Sequence, residues 1–241
     1  MIITSLDNKE VKYLTKLNTK KFREEENKFL VDGEHLVEEA YKKGVLEKII
    51  VVDDNYSFNC DKLIVTKEIM KKISLLDTPP NIMGVCKMID ERLVGTKYLV
   101  LDRIQDPGNL GTIIRSAVAF NVDTIIMSND TVDIYNSKVL RATQGMLFNI
   151  NFIRCDLIDT ITKLKDENIP VYVTDVSDGK NIKEIKDFSK YILVMGNEGS
   201  GVSDEVRNLA DTNIYIPMNE KCESLNVAVA TSIILYEMSG K

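Results

Sequence analysis

Three short stretches of this chain carry side chains that could do chemistry. In DRIQDPGNLGTIIR (102–115), Pro107 and Gly108 read as a turn, and Asn109 stands where a helix N-cap belongs. The helix would then run from Leu110, with Arg115 almost two turns in, among Ile113, Ile114, Ala117 and Val118. A guanidinium beside an apolar stripe needs a partner or an open cleft; otherwise it is an exposed arginine that merely flanks the stripe. In MGNEGSGVSDEV (195–206), glycines at 196, 199 and 201 follow an apolar strand pattern. Their GxxGxG spacing is not the GxGxxG of dinucleotide sites, and no GxxxxGK[ST] occurs in the chain. Glu198 inside that loop would repel a phosphate, so a cationic or hydroxyl-bearing ligand suits it better; a turn needed only for folding is the other reading. In IPMNEKCESLNVAVATSIILYEM (216–238), Ser224 could cap a helix from Leu225 that is apolar almost all round through Leu235. That helix is a core helix, or a core helix that also supplies a subunit interface. Asn226 in its first turn is an amide that needs partners.

The elements that must position these loops alternate. Strand patterns at 98–102, 123–127, 149–153, 170–174, 191–195 and 213–217 are separated by helical patterns at 110–120, 156–167, 203–210 and 225–238. Apolar strands alternating with amphipathic helices predict an α/β fold: a mostly parallel sheet with helices on both faces. Ligands in such sheets bind beyond the carboxyl ends of the strands, which selects the loops after 102, 195 and 217. The first ninety residues read as a separate, small α/β unit. It has helices at 7–17, 33–43 and 67–75 and strands at 29–32, 47–52, 62–66 and 83–88. The expected domains are 1–90 and 98–241, with IDERLVGTK (89–97) as linker.

Composition narrows the chemistry. His35 is the only histidine, in an amphipathic helical pattern, so a Ser-His-Asp triad or a two-histidine metal site has little to be built from. The four cysteines form no CxxC, so no metal site is expected and the thiols read as small apolar residues in a reducing compartment. No apolar run approaches the about eighteen residues of a membrane span, and the N-terminus is charged too early for a secretory signal; a soluble cytoplasmic protein without membrane contact is expected. The net charge of −6 argues against a generic polyanion binder. Residues 9–23, KEVKYLTKLNTKKFR, nevertheless carry six basic groups and one acidic. A short basic element on an acidic body suits selective RNA contact; a solvated helix face is the plainer alternative.

Taken in order, N-x5-R, then GNEGxG, then IPM-x5-SLN resemble the SpoU (TrmH-like) family of RNA ribose methyltransferases, in the SPOUT superfamily. The resemblance covers about residues 98–241, and RATQGMLF (141–148) is similar to a further segment of that family. The N-terminal part, with SLDNKEVKYLTKL and FLVDGEHLVEEA, resembles the RNA substrate-binding domain attached to many members. The resemblance implies a trefoil knot, a homodimer with the active site at the subunit boundary, and S-adenosylmethionine as cofactor. It implies cofactor contacts at Gly196, Asn197, Gly199, Ile216, Met218, Ser224 and Leu225, where the glycines let the main chain approach the ligand. It makes Arg115 the central catalytic residue, with Asn109, Glu198, Ser224 and Asn226 orienting it, the ribose and the loops. Because a guanidinium stays protonated below a pH of about 12, Arg115 would hold the target phosphate and hydroxyl and stabilise developing alkoxide charge. RNA contacts are expected at Lys9, Lys12, Lys16, Lys20, Lys21, Arg23 and Arg141.

The reaction implied is 2′-O-ribose methylation of RNA: ribosomal RNA because of the N-terminal domain, with tRNA as an alternative. A competing reading is an RNA-binding or ribosome-assembly factor of the same fold with methyl transfer lost. The family pattern has glycine where this chain has Glu220, and a backbone requirement for positive φ there would make glutamate costly. Thr143 stands where serine is commoner. A nucleotide-dependent oxidoreductase fails on the glycine spacing.

Overall fold

The computed structural model describes residues 2–176 and 178–239. The chain divides into two compact units, one of Met1–Asp90 with Asp133–Asn149 and one of Glu91–Val132 with Ile150–Lys241. The first unit is built on five strands: β1 (Ile2–Ile3), β2 (Lys28–Asp32), β3 (Leu46–Val51), β4 (Asp61–Val65) and β5 (Ile82–Lys87), in the order β1-β4-β3-β5-β2. Its first four helices are α1 (Lys9–Lys16), α2 (Lys20–Glu26), α3 (Glu34–Lys43) and α4 (Lys67–Ile73). Val11 and Leu14 of α1 and Ile69, Met70 and Ile73 of α4 bury against Leu30, Ile50 and Val85 of the sheet. Asn8 caps α1 by accepting from the Glu10 amide at 2.8 Å. Asn27 ends α2 in the left-handed conformation.

The second unit holds seven strands, all parallel: β6 (Lys97–Leu101), β7 (Thr124–Met127), β8 (Asn151–Arg154), β9 (Val171–Thr174), β10 (Lys180–Asn181), β11 (Tyr191–Met195) and β12 (Thr212–Tyr215). Their spatial order is β10-β12-β9-β11-β6-β7-β8. The helices are α5 (Pro107–Ala119) between β6 and β7, then α7 (Leu157–Asp166), α8 (Asp204–Arg207) and α9 (Val227–Met238). The intervening α6 (Ser137–Thr143) belongs to the first unit. Every residue of β6 from Tyr98, of β7 and of β11 is buried, as a parallel sheet covered on both faces requires. Tyr98, Val100, Ile192, Val194, Val171 and Val173 share one core with Leu157, Ile161 and Leu164 of α7 and Val206 of α8. The chain steps from β6 outward to β7 and β8, and later returns to set β11 on the other side of β6. That reversal is the topological switch at which α/β sheets open a crevice.

Several sequence expectations change here. The helix expected over 203–210 is only the single turn of α8. Residues 133–149, expected within the C-terminal domain, fold with the first unit. Tyr135 and Phe148 lie 4.6 and 6.4 Å, ring to ring, from Phe29 of β2. The same packing corrects one expected RNA contact. Arg23 is 7% exposed; its guanidinium donates to the Leu17 carbonyl at 3.0 Å and forms an ion pair with Asp133. It is an internal strut rather than a surface cation. Arg141 is partly withdrawn too, with Nη1 buried 3.8 Å from Asp32. Lys9, Lys12, Lys16, Lys20 and Lys21 are exposed. Lys12, Lys20 and Lys21 meet only exposed carboxylates at 3.0 to 3.8 Å, pairs that water largely screens.

Removing one partner of a buried ion pair leaves the other charge uncompensated. Arg23→Met is expected to destabilise the protein by about 3 kcal/mol in urea unfolding, and Asp133→Asn in the same chain should recover part of it. A loss below about 1 kcal/mol, the range of a surface pair, would contradict the strut.

Candidate active site

At the carboxyl ends of β6 and β11, two loops are joined by one carboxylate. Glu198 accepts from the Gln105 amide at 3.3 Å, the Asp106 amide at 3.2 Å and the Asn109 side-chain amide at 3.1 Å. Asn109 in turn accepts from the side-chain amide of Asn226 at 2.9 Å. Asn226 then accepts from the amides of Ala228 at 2.9 Å and Val229 at 3.3 Å, the first free donors of α9. A carboxylate can only accept and helix N-terminal amides can only donate, so these two ends set both asparagine amides in one orientation.

Both predicted caps shift. Asp106, not Asn109, caps α5; its Oδ1 accepts from the Asn109 amide at 2.8 Å, and Pro107 occupies the first turn, where a missing N–H costs nothing. Asn109 is thereby freed to bridge. Asn226, not Ser224, caps α9, and its capping bonds are the partners its amide needs. Ser224 is exposed on the loop before it.

The glycine loop is held by its own backbone. Asn197 and Gly201 exchange two main-chain hydrogen bonds of 3.0 Å. A Cβ on Gly196 would stand 2.2 Å from the main chain of Gly201 and Val202, and Gly201 has φ +68°. At these two positions glycine is required by the turn itself. Asn197 is also committed: its Oδ1 accepts from the Gly199 and Ser200 amides, and its Nδ2 donates to the Arg103 carbonyl at 2.7 Å. Asp102, almost fully buried, accepts from the Ser203 amide at 2.7 Å and pairs with Arg103 at 3.0 Å. Arg103 itself has φ +59°, a conformation rare for a residue other than glycine or asparagine. Asp102 and Arg103 were not singled out from the sequence; a polar pair directly after a fully buried strand was the available signal.

Beside this network lies a cavity of about 520 Å³. All the residues expected to hold a cofactor line it: Gly196, Asn197, Gly199, Ile216, Met218, Ser224 and Leu225. Glu198 and Asn226 line it as well. So do Thr174 at the end of β9, Asp175 directly after it and Arg207 at the end of α8, which the sequence reading missed because none of them belongs to a motif. Arg115 is brought neither to the cavity wall nor into the network. It is exposed on α5, about 9 Å along the axis from Asn109 at 1.5 Å per residue, with no hydrogen-bond or ion-pair partner among the described residues. Glu220 is not among the non-glycine residues with positive φ, so glutamate there carries no left-handed strain. Thr143 is buried and donates to the Leu140 carbonyl at 2.7 Å.

Partial burial pushes the Glu198 carboxyl up, but hydrogen bonds from Asn109 and from main-chain amides outweigh it and hold the group below the ordinary glutamate range. A depressed carboxyl stabilises above its unfolded pKa of about 4.3, and that contribution disappears as pH falls through the folded value. Glu198→Gln would turn an amide N–H2 toward donors. The melting temperature of E198Q is therefore expected below wild type at pH 7, with the gap closing as the pH falls below 4. A gap that stays constant would contradict an ionised Glu198 as the organiser.

Residues 96–236 match the SpoU rRNA Methylase family, and residues 8–84 match the MRM3-like substrate binding domain. Over 99% of both chains, the protein is 38% identical to a 23S rRNA (guanosine(2553)-2′-O)-methyltransferase of Bacillus subtilis. Among solved structures, the AdoMet-bound rRNA methyltransferase from Sinorhizobium meliloti superposes with a TM-score of 0.86 at 30% identity, covering 99% of this chain and 97% of that one. The SpoU methyltransferase AviRb from Streptomyces viridochromogenes, in complex with AdoMet, gives 0.86 at 25% identity, covering 97% of each chain. With buried parallel strands, a three-loop polar network and a family match across more than half its length, this chain belongs to the SpoU rRNA methylase family.

Proposed function

We propose that the protein methylates a ribose 2′-hydroxyl of RNA, with ribosomal RNA as substrate, using S-adenosylmethionine. The observation that carries this reading is the Glu198–Asn109–Asn226 network standing on the wall of a cavity of about 520 Å³. That volume is in the range of small-molecule sites, about 300–1,000 Å³. Its wall fits the cofactor's chemistry: Val202, Ile216, Leu225 and Ile234 offer an apolar bed, and two carboxylates suit a cationic ligand. Gly196, Asn197, Gly199, Ile216, Met218, Ser224 and Leu225 would hold it. When bound, S-adenosylmethionine supplies an electrophilic methyl group on a sulfonium with a good leaving group.

The chain's own part is positioning and charge. Arg115 is permanently cationic and free of partners among the described residues, so its fork would hold an RNA phosphate and the ribose hydroxyl and stabilise the alkoxide as it develops. The Asn109 bridge fixes the start of α5, the helix that carries Arg115. Lys9, Lys12 and Lys16 on α1, with Lys20 and Lys21 on α2, would bind RNA phosphates. Val229, Ile233 and Tyr236 form an exposed apolar stripe on α9 and support a homodimer through that helix. The trefoil knot of the superfamily, with the chain after β12 tucked through an earlier loop, and a cytoplasmic location are part of the same proposal. Among the described residues no helix is long and apolar enough to cross a membrane.

Two measurements test the reading. Calorimetry should show S-adenosylmethionine binding to wild type and to Arg115→Lys alike. Methyl transfer to ribosomal RNA from cells lacking the protein should fall about 100-fold in R115K, the worth of one transition-state donor. Absence of binding by wild type would overturn the enzymatic reading; full activity in R115K would overturn the need for the planar fork. Separately, Ile233→Glu should convert a dimer to a monomer by light scattering, and an unchanged mass would place the interface elsewhere.

A further inference from the structure

The cavity wall carries three charged side chains, Asp175, Glu198 and Arg207. Glu198 is committed to the loops. The other two face each other: an Arg207 Nη1 hydrogen donates to Asp175 Oδ2 in a short ion pair. Asp175 stands directly after β9, and its Oδ1 accepts from the amides of Val176 at 2.7 Å and Asp178 at 3.2 Å. Those two bonds turn the second oxygen toward Arg207. Arg207, at the end of α8, uses one guanidinium nitrogen on Asp175; among the described residues its side chain makes no other hydrogen bond. Its side chain is about one-third exposed. The Asp175 side chain is 19% exposed, and both members stand on the cavity wall, within reach of a ligand there.

We propose that Asp175 and Arg207 clamp the amino-acid end of S-adenosylmethionine, Arg207 receiving the carboxylate and Asp175 the ammonium. The inference rests on the cofactor reading above. The charges of ligand and wall match. The ligand carries two cationic groups, sulfonium and ammonium, and one carboxylate. The wall offers two carboxylates and one guanidinium. Arg207 is the one cationic side chain on the cavity wall among the described residues, and its unused fork suits a bidentate carboxylate. An α-amino acid presents both charges on one carbon, so it can lie along an Asp–Arg pair and satisfy both members without separating them widely. The clamp would select ligands with an intact amino-acid end over nucleosides that lack it. It would be a specificity device remote from the methyl group.

The test compares three ligands by calorimetry: S-adenosylmethionine, S-adenosylhomocysteine, and 5′-methylthioadenosine, which lacks the amino-acid end. In Arg207→Met the first two should weaken about 10- to 100-fold, the worth of one or two charge-assisted hydrogen bonds. The third should bind as it does to wild type, which also shows that the variant is folded. Arg207→Lys should fall between. Asp175→Asn should weaken the first two and spare the third. Equal weakening of all three ligands would assign the pair to the ribose or to loop structure and overturn the clamp, as would unchanged S-adenosylmethionine affinity in R207M. Failure of wild type to bind any of the three is a separate outcome; it would remove the cofactor reading and the clamp together.

Discussion

The amide of Asn109 is the joint on which this structure turns. It donates to Glu198 and accepts from Asn226, so three loops far apart in sequence meet at one side chain. The direction of every bond in the chain follows from its ends. An ionised carboxylate at one end and the N-terminal amides of α9 at the other leave a single arrangement in which no donor faces a donor. A neutral Glu198 would lose that polarity, which is why the depression of its carboxyl pKa matters to the site. The network fixes the mouth of the cavity while leaving Arg115, farther along α5, outside it. Rigid positioning at the start of α5 is thus separated from a cation, Arg115, that has no partner among the described residues.

Around that joint, local backbone requirements are met at particular residues. The β6 and β11 strands are buried throughout their apolar runs and form a stiff platform. The loops leaving them are folded tightly enough to need Gly196 and Gly201, and Arg103 is held in a left-handed conformation by the Asp102 carboxylate and Asn197. The glycine-rich loop is therefore shaped by its own hydrogen bonds, the kind of rigidity that lowers the cost of binding. Its main chain and the apolar wall from Ile216 to Ile234 are what a ligand would meet.

Much of this was legible from residue patterns because the relevant physics is local. YILVM reads as a buried strand and is one over its full length. The helix expected over 33–43 is α3, with Gly33 and Gly44 at its caps. What could not be read is what depends on distant partners. Asp106 and Asn109 are both good caps, and so are Ser224 and Asn226; the choice is made by which asparagine is needed for the bridge. Arg23 sits in a basic run, and only its pairing with Asp133, 110 residues away, turns it inward. The short α2 and α6 lie below the length at which periodicity is informative, and α6 joins the first unit through Tyr135 and Phe148. Charged wall residues such as Asp175 and Arg207 carry no motif at all; their meaning comes from the cavity.

The most direct test of the central joint is a double-mutant cycle between Asn109 and Asn226, read by urea unfolding. With Asn109→Ala, Asn226→Ala and the pair, a coupling energy of about 1 kcal/mol is expected, the range for residues in one hydrogen-bonded network. Additivity of the two single losses would mean that the amides do not support one another, and the account of three loops held by one bridge would be wrong.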